Sequence, residues 1–323
     1  MELKLTSIAP AKKEDTKEPE RIKVLVIGAG PAGMSAALYA ARAELKPVVL
    51  AGADLGGQAA ITDVIENYPG FPDGVGGSAL SDAFQKQAER FGAVFEFETA
   101  SSVDFSSQPY RVKTYSKTYL ADSIIVTTGA SPNHLNIPGE NEFTGRGVSY
   151  CATCDGWFFR EKRVVVVGGG DSAIEEALFL TRYASSVTIV HRRDALRAGA
   201  ILQRRVFDNP KINFIWDTVV TEIKGDNVLK SLRLKNIKTG EEKEMETDGL
   251  FIFIGHTPNT KLFEPYLEMQ NGYIATDKNM QTNLPGIFAA GEAADPTFRQ
   301  VVTSAGMGAA AAIRSTHYLE EKG

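Results

Sequence analysis

Residues 22–52 read IKVLVIGAGPAGMSAALYAARAELKPVVLAG. A run rich in β-branched residues from Val24 to Ile27 is followed by a glycine turn, an alanine-rich segment, and a second apolar run from Pro47 to Leu50. Short apolar runs bounded by glycine indicate buried strands, and the alanine-rich segment between them favours a helix. The stretch therefore predicts a strand–helix–strand unit, the building block of a doubly wound α/β fold.

A second stretch, residues 162–194, repeats this pattern as KRVVVVGGGDSAIEEALFLTRYASSVTIVHRRD. Val164 to Val167 predicts a strand, and Val187 to Val190 predicts the next one after the helix. Two such units predict an α/β protein with two Rossmann-like nucleotide-binding domains, each a mostly parallel sheet in a three-layer arrangement. The length of 323 residues agrees with two domains.

Two similar segments, IIVTTGASPN at 124–133 and FIFIGHTPN at 251–259, indicate how the domains are connected. Each is an apolar run that ends in glycine and is followed two residues later by Pro-Asn, so we interpret them as matched exits from a sheet. The second domain is then inserted into the first, and two parallel crossings between them would form a hinge. The predicted limits are an arm at 1–21, a first domain at 22–130 plus 257–323, and a second domain at 131–256.

The returning segment at 282–313 contains a further strand and helix. Ile287 to Ala290 predicts a buried strand that ends at Gly291, and the stretch after DPTFRQ predicts a helix of small residues. The glycines of that helix allow a close approach to a neighbour or a cofactor.

Composition restricts the class of protein. The net charge of −5 argues mildly against nucleic acid as a partner, since nucleic-acid binding favours basic faces. No apolar run reaches the ~18–20 residues of a membrane span, and the charged N-terminus lacks the apolar core of a signal peptide. We interpret KKEDTKEPE as a solvated arm, with a partner-binding tail as the alternative. Only two cysteines exclude a disulfide scaffold and favour a reducing compartment, most simply the cytoplasm.

Gly28, Gly30 and Gly33 form G-x-G-x-x-G between the first strand and its helix. The first glycine allows a tight turn, the second lets a pyrophosphate approach, and the third lets the helix pack on the strand. The pattern predicts dinucleotide binding at the helix N-terminus. The acid that usually ends the second strand is replaced by LAGA at 50–53, so ribose recognition must come from elsewhere, such as backbone around Gly52.

In the second unit, Gly168, Gly170 and Ala173 give the G-x-G-x-x-A variant, and its second strand ends in HRRDALR. An acid at that place favours NAD, whereas arginines accommodate the extra phosphate of NADP. Positive charge at this place therefore predicts NADPH over NADH, with a solvated basic turn as the alternative reading. The residues that carry this prediction are Arg192, Arg193 and Arg197.

Both cysteines lie in SYCATCDGWFF, residues 149–159, as Cys151 and Cys154. Zinc would require four ligands, and the four histidines include no compact pair. Two buried structural cysteines three positions apart are a second alternative. A redox pair fits best, because Cys-x-x-Cys at a helix start lowers the pKa of one thiol and closes readily into a disulfide. Asp155 directly behind the pair could pass a proton to the leaving thiolate.

Several motifs in one order resemble the bacterial, low-molecular-weight thioredoxin reductase family from about residue 22 onward. They are GAGPAG, GGQ (Gly56 to Gln58), ENYPGFP (66–72), CATCDG, GGGDSAIEEA, HRRDALRA, IGHTPNT and GIFAAGE…FRQ. The resemblance implies a homodimer in which an FAD domain is made of both chain ends and carries an inserted NADPH domain. It further implies that NADPH reduces FAD, that FAD reduces a Cys151–Cys154 disulfide, and that the dithiol reduces thioredoxin.

The resemblance also implies roles for individual residues. Cys154 resembles the flavin-facing thiol, Cys151 the thiol that attacks the partner's disulfide, and Asp155 the acid. To FAD we assign Gly28, Gly30, Pro31, Ala32, Gly33, Ala51, Gly57, Gln58, Asn67, Gly291, Glu292, Arg299, Gln300 and Val301. To NADPH we assign Gly168, Gly170, Asp171, Ser172, Ala173, His191, Arg192, Arg193 and Arg197. We expect no metal.

Two further expectations follow from the family. Nicotinamide and the disulfide cannot both lie beside the flavin, so the domains are expected to rotate about residues 129–133 and 255–259. Glu292 stands where the family has aspartate, which lengthens the reach by one methylene and predicts slightly different or weaker FAD binding. The alternatives are a flavin-dependent reductase of a glutaredoxin-like or peroxiredoxin-reducing partner, a non-enzymatic nucleotide or redox sensor, and a ferredoxin reductase of related fold, against which the cysteine pair argues.

Overall fold

A computed structural model describes residues 18–52, 55–62, 64–65 and 67–322. The strands are β1 (Glu20–Ile27), β2 (Val48–Leu50), β3 (Val94–Glu96), β4 (Ser102–Asp104), β5 (Tyr110–Lys113), β6 (Thr118–Val126), β7 (Ala130–Pro132), β8 (Val148–Ser149), β9 (Arg163–Val167), β10 (Ser186–Val190), β11 (Ile212–Ile215), β12 (Thr218–Gly225), β13 (Leu229–Asn236), β14 (Glu242–Glu246), β15 (Gly249–Ile252), β16 (His256–Pro258), β17 (Met269–Gln270), β18 (Tyr273–Ile274) and β19 (Ile287–Ala289).

The helices are α1 (Pro31–Arg42), α2 (Gly57–Ala60), α3 (Gly77–Arg90), α4 (Glu140–Phe143), α5 (Ala152–Asp155), α6 (Asp171–Leu180), α7 (Ala200–Phe207) and α8 (Val301–Glu320), with 3₁₀ turns at Gly156–Phe159 and Gly291–Ala293. Within the described part of the chain, no helix is both long enough and apolar enough to cross a membrane.

The first sheet has seven strands in the order β3-β2-β1-β6-β5-β4, with β19 also paired to β6. Its core strands are parallel, and β4, β5 and β6 pair antiparallel. Both faces are covered, which is why β1 is a continuous apolar run. Val24 and Val26 pack with the buried face of α1 and with α8, whereas Leu25 and Ile27 pack into a second core on the opposite face.

The second sheet has five parallel strands in the order β11-β10-β9-β15-β8. Val164 and Val166 face a core that includes α6, and Val165 and Val167 face the opposite core. That opposite core is closed by the antiparallel sheet β12-β13-β14, whose inward residues include Val220 and Leu232. The predicted fold class, two Rossmann-like units with mostly parallel sheets, is confirmed.

One detail of the hinge prediction is wrong. The two connecting segments contain β7 and β16, and these pair antiparallel rather than parallel, with His256 opposite Pro132 and Pro258 opposite Ala130. The segment with β7 runs from the first sheet to the second, and the segment with β16 runs back to the first. Because the two run in opposite directions, they pair antiparallel. Each crossing is therefore tied to the other by backbone hydrogen bonds.

The domain limits at 22–130, 131–256 and 257–323 remain a prediction. β1 begins at Glu20, so two residues that were assigned to the arm pair with Tyr119 and Leu120 of β6. Positions 1–17 of the predicted arm lie outside the described residues.

Candidate active site

A cavity of about 1350 Å³ joins the main sequence motifs. Its walls include the turn after β1, the start of α8, the cysteine pair and the start of α6. Ligand pockets commonly measure ~300–1,000 Å³, so this cavity has room for a large ligand or for more than one. We call it the central cavity.

The turn after β1 brings backbone close to the central cavity. A Cβ on Gly28 would lie 2.5 Å from the carbonyl oxygen of Thr127, and the residue has φ of +108°. A Cβ on Gly33 would lie 1.9 Å from the carbonyl oxygen of Gly28, so only glycine lets α1 pack this closely. A Cβ on Gly30 would meet nothing within 4 Å, because this position faces open space. α1 also lacks a side-chain cap, which leaves N–H groups of its first turn available to an anion.

Charged groups gather between β19 and α8. Burial raises the pKa of Glu292 to about 6, and Arg299 opposes that shift. Arg299 lies with φ of +51°, and its Nη1 donates to Nδ1 of His256 over 2.8 Å. Because guanidinium is donor only, that ring nitrogen must carry a lone pair. Burial, followed by the charge of Arg299, lowers the pKa of His256 to about 4, which keeps the ring neutral.

Cys151 and Cys154 form a disulfide in the short segment between β8 and β9. Cys151 is the N-cap of α5, and its Sγ accepts a hydrogen bond from the backbone N–H of Cys154 over 3.2 Å. Both cysteines and Asp155 line the central cavity. The disulfide thus shares the central cavity with the turn that follows β1.

Glu176 of α6 connects this segment to its neighbour. The backbone N–H of Ala152 donates to its carboxylate, and burial raises the pKa of Glu176 against the opposing charge of Arg299. Its Oε2 is buried and makes no hydrogen bond to any part of the chain that the structure describes. The side chain lines the central cavity with the disulfide.

The turn between β9 and α6 is packed as tightly as the first. A Cβ on Gly168 would lie 2.5 Å from both the Ala173 Cβ and the Phe253 carbonyl oxygen. A Cβ on Gly169 would lie 2.4 Å from the ring of His191, which is buried behind the turn. Burial, followed by the positive charges of Arg197, Arg193 and Arg192, lowers the pKa of His191. The positive charges that follow β10 therefore favour the neutral form of this ring.

Arg197 lies close to the start of α6. Its backbone N–H donates to the carbonyl oxygen of Gly169 over 2.7 Å, and its Nη2 lies 4.0 Å from the Cβ position of Gly170. Asp171 accepts from the backbone N–H of Gly199 over 2.7 Å, which fixes the loop that carries Arg197. The Arg197 side chain and the uncapped start of α6 therefore both line the central cavity.

A family model described as pyridine nucleotide-disulphide oxidoreductase matches residues 22–308. The chain belongs to the pyridine nucleotide-disulphide oxidoreductase family. A thioredoxin reductase of Rickettsia bellii is 50% identical over 305 residues, covering 93% of this chain and 98% of the relative. One from Streptomyces coelicolor is 48% identical over 303 residues, with 92% and 93% covered.

Solved structures of this oxidoreductase family give the same result. The crystal structure of thioredoxin reductase from Streptococcus pyogenes aligns with a TM-score of 0.89 at 42% identity, covering 94% of this chain and all of that one. Thioredoxin reductase from Giardia duodenalis aligns with a TM-score of 0.87 at 38% identity, covering 93% and 99%. The resemblance to low-molecular-weight thioredoxin reductases is confirmed.

Most of the residues assigned from the sequence line the central cavity of this oxidoreductase. Those are Gly28, Gly30, Pro31, Ala32, Ala51, Gly57, Gln58, Cys151, Cys154, Asp155, Gly170, Asp171, Ser172, Ala173, Arg197, Gly291, Glu292, Arg299, Gln300 and Val301. Six others are not among its lining residues: Gly33, Asn67, Gly168, His191, Arg192 and Arg193. Asn67 is still tied to the site, since its Nδ2 donates to Oε1 of Gln300 over 3.0 Å.

Sequence reasoning missed several residues of the site. Thr127 hydrogen-bonds the carbonyl oxygens of Ile27 and Gly28, and so fixes the first glycine turn from the neighbouring strand. Glu176 and His256 lie inside the quoted motifs GGGDSAIEEA and IGHTPNT, but nothing in those patterns separates them from their neighbours. Thr153, the third residue of the cysteine motif, was likewise overlooked.

The residues of the first turn fit FAD. Gly28 and Gly33 have no space for a side chain, Gly30 opens onto the cavity, and the helix behind them is uncapped. This combination suits a pyrophosphate held by backbone N–H groups. The turn before α6 offers the same backbone arrangement together with Arg197, which suits a pyridine nucleotide.

Proposed function

We propose that this chain is an NADPH-dependent thioredoxin reductase that uses FAD. The observation that carries the proposal is the Cys151–Cys154 disulfide, which shares one cavity with both glycine turns. The names of the relatives support thioredoxin as the substrate that receives the electrons. FAD, when bound, would supply the two-electron carrier between the pyridine nucleotide and the disulfide.

The turn after β1 would hold the flavin nucleotide by backbone groups alone. Gly30 leaves space for the pyrophosphate, and the first turn of α1 presents N–H groups to it. Gln58 and Arg299 line the same cavity and would contact the remainder of the cofactor. The Glu292 carboxylate would accept a hydrogen bond from a hydroxyl group of the cofactor. Its side chain is one methylene longer than the aspartate of the family.

NADPH as the donor rests on the arginines that follow β10. Arg192 and Arg193 are exposed and Arg197 faces the start of α6, so a 2′-phosphate bound here would be neutralised without burying a charge. The neutral His191 ring behind the turn would hold the glycine backbone in place. An acidic residue in these positions would instead repel the phosphate.

The remaining chemistry is thiol–disulfide exchange. Two electrons and two protons convert the Cys151–Cys154 disulfide into a dithiol, and Asp155 beside it would donate one proton. The Cys151 thiolate would attack the thioredoxin disulfide and form a mixed disulfide. Attack by Cys154 on Cys151 then releases thioredoxin as a dithiol and restores the internal disulfide, so atoms and electrons balance.

We further propose that the enzyme is a cytoplasmic homodimer, in keeping with its family and its two cysteines. Rotation of the second domain about residues 129–133 and 255–259 would alternate the disulfide and the nicotinamide beside the flavin. The antiparallel pair β7 and β16 would act as the pivot, because it is the paired connection between the two parallel sheets.

The test is NADPH oxidation by FAD-loaded protein with thioredoxin and a chromogenic disulfide. We expect rapid, thioredoxin-dependent turnover that both Cys151→Ser and Cys154→Ser abolish, while NADPH still bleaches the flavin absorbance. No NADPH consumption by the wild-type protein with any of several thioredoxins would refute the proposal. Turnover with a glutaredoxin-like or peroxiredoxin-reducing protein, and none with thioredoxin, would show that the chain is a disulfide reductase with a different protein substrate.

A further inference from the structure

Thr153, within the cysteine motif, contacts the sulfur of Cys151. Its Oγ1 lies 3.4 Å from the Cys151 Sγ. A disulfide sulfur carries no proton, so the threonine hydroxyl must be the donor in this contact. The backbone N–H of Cys154 donates to the same sulfur over 3.2 Å. Two donors therefore converge on Cys151.

Gln300 contacts the same hydroxyl from the start of α8. Its Nε2 lies 3.3 Å from Thr153 Oγ1. An amide N–H can only donate, so the threonine oxygen accepts from Gln300 and keeps its own proton for the sulfur. A hydroxyl that accepts one hydrogen bond becomes a stronger donor in the next.

The orientation of the Gln300 amide is itself fixed. Its side chain accepts from the backbone N–H of Thr303 in a capping box, and Oε1 accepts from Asn67 Nδ2 over 3.0 Å. Nε2 also donates to the carbonyl oxygen of Phe298 over 3.3 Å. Exchanging the oxygen and nitrogen of this amide would put donors against donors. The hydrogen bonds therefore run in one direction, from Asn67 through Gln300 and Thr153 to the Cys151 sulfur.

We propose that Thr153 is a positioning residue that stabilises the thiolate form of Cys151, and that Gln300 orients its hydroxyl for this purpose. The hydrogen bond to a neutral disulfide sulfur is weak, but the same bond to a thiolate is charge-assisted and stronger. The arrangement therefore favours negative charge on the Cys151 sulfur while the cysteine pair lies against the start of α8, which is the arrangement in which the disulfide would be reduced. Thr153 is an exposed residue. Without the contacts to Cys151 and Gln300, its hydroxyl group would have no role in the site.

The inference rests on the proposed disulfide-reductase function, but its test needs neither NADPH nor thioredoxin, so the two can fail separately. The full, FAD-loaded chain is reduced with a chemical reductant and desalted. Alkylation of Cys151 by iodoacetamide is then followed against pH by mass spectrometry, with Cys154 recorded in the same samples.

The matched variants are Thr153→Val, which keeps the branched shape but removes the hydroxyl, and Thr153→Ser, which keeps the hydroxyl. We expect Thr153→Val to raise the apparent pKa of the Cys151 thiol by about one unit, and Thr153→Ser to leave it near wild type. At pH values below the pKa, the alkylation rate of the valine variant should be lower by several-fold. An unchanged pKa in Thr153→Val, or an equal shift in both variants, would overturn the inference.

A double-mutant comparison tests the part assigned to Gln300. Gln300→Leu alone should raise the pKa of Cys151 by less than Thr153→Val does, because the hydroxyl remains but is no longer oriented. In the Thr153→Val background the same change should add no further shift. Shifts that simply add would show that Gln300 acts on the sulfur by another route and would refute the relay.

Discussion

The two strand–helix–strand units, β1-α1-β2 and β9-α6-β10, share one backbone design but differ in how tightly their helices approach the turn. In the first unit the third small residue is Gly33, where even a Cβ would lie 1.9 Å from a carbonyl oxygen. In the second unit Ala173 holds the equivalent place, with its methyl group almost completely buried. The same motif therefore tolerates one methyl group in one domain and none in the other.

The units also differ after their second strands. The first continues into buried Ala51 and then Gly52, which offer no charge, whereas the second continues into His191 and two exposed arginines. The strands before these points pair in the same parallel fashion. A few residues past the second strand thus distinguish the two proposed ligands, which the same backbone groups would bind in both units.

The largest expected effect comes from filling the tighter turn. Gly33→Val places a branched side chain against the Gly28 carbonyl, so we expect a loss of ~3 kcal/mol or more in the free energy of unfolding, together with loss of bound flavin. Urea unfolding and flavin absorbance measure both. Gly30→Ala is the control for folding, since its Cβ would meet nothing within 4 Å. Equal stability of Gly33→Val and wild type would contradict the packing argument.

The next effect concerns the end of β10. Replacing Arg192 and Arg193 together with alanine should raise KM for NADPH about a hundredfold, because two charge-assisted contacts to phosphate are lost. KM for NADH should hardly change, since that nucleotide lacks the phosphate. Arg205→Ala, an exposed arginine of α7, is the matched control. An equal rise in KM for NADPH and for NADH would contradict the proposal that these arginines bind the extra phosphate of NADPH.

A smaller effect depends on pH and on Glu292. Its pKa in the folded chain, about 6, lies above the reference value of 4.5. A raised pKa means that the stabilising contribution is complete below pH 4.5 and is lost as pH rises through about 6. The loss amounts to about 2 kcal/mol.

We therefore expect flavin-free wild-type protein to lose about this much stability relative to Glu292→Gln between pH 4.5 and 7. Urea unfolding at a series of pH values measures it. Parallel curves for the two proteins would show that the carboxyl group is as well solvated in the fold as in the open chain.

The smallest expected effect comes from removing a methyl group in the second unit, where Gly33→Val adds a side chain in the first. Ala173→Gly removes a methyl group that the second unit accommodates and places glycine in a helix, which should cost about 1 kcal/mol. The variant should still bind NADPH, because the backbone of the turn is retained. Thermal unfolding and KM for NADPH measure the two outcomes. A cost as large as that of Gly33→Val would mean that the two turns are not packed differently.

The sequence was sufficient for the elements and motifs that local pattern determines. Both strand–helix–strand units, the strand that ends before Gly291 and the disulfide are confirmed. Each depends on residues that are close in the chain, where strand and helix periodicities and glycine spacing are visible. The assigned roles of the site residues, by contrast, stay predictions.

What the sequence could not supply are contacts between distant residues. Asn67 and Gln300 are separated by 233 positions, and Gln300 and Thr153 by 147. Their side chains meet only because α8 packs on α1 and brings its start to the cavity. The antiparallel pairing of β7 and β16 was missed for the same reason, although both segments were recognised as related.

The place of β19 and α8 in the first sheet also orders events during synthesis. β19 pairs with β6, and α8 covers α1, yet both come from the last part of the chain. The second sheet uses only strands between Val148 and Ile252, so all of its strands are synthesised before β19. A nascent chain therefore has every strand of its second sheet while the first is still incomplete. Synthesis of β19 and α8 then adds β19 to the first sheet and packs α8 on α1.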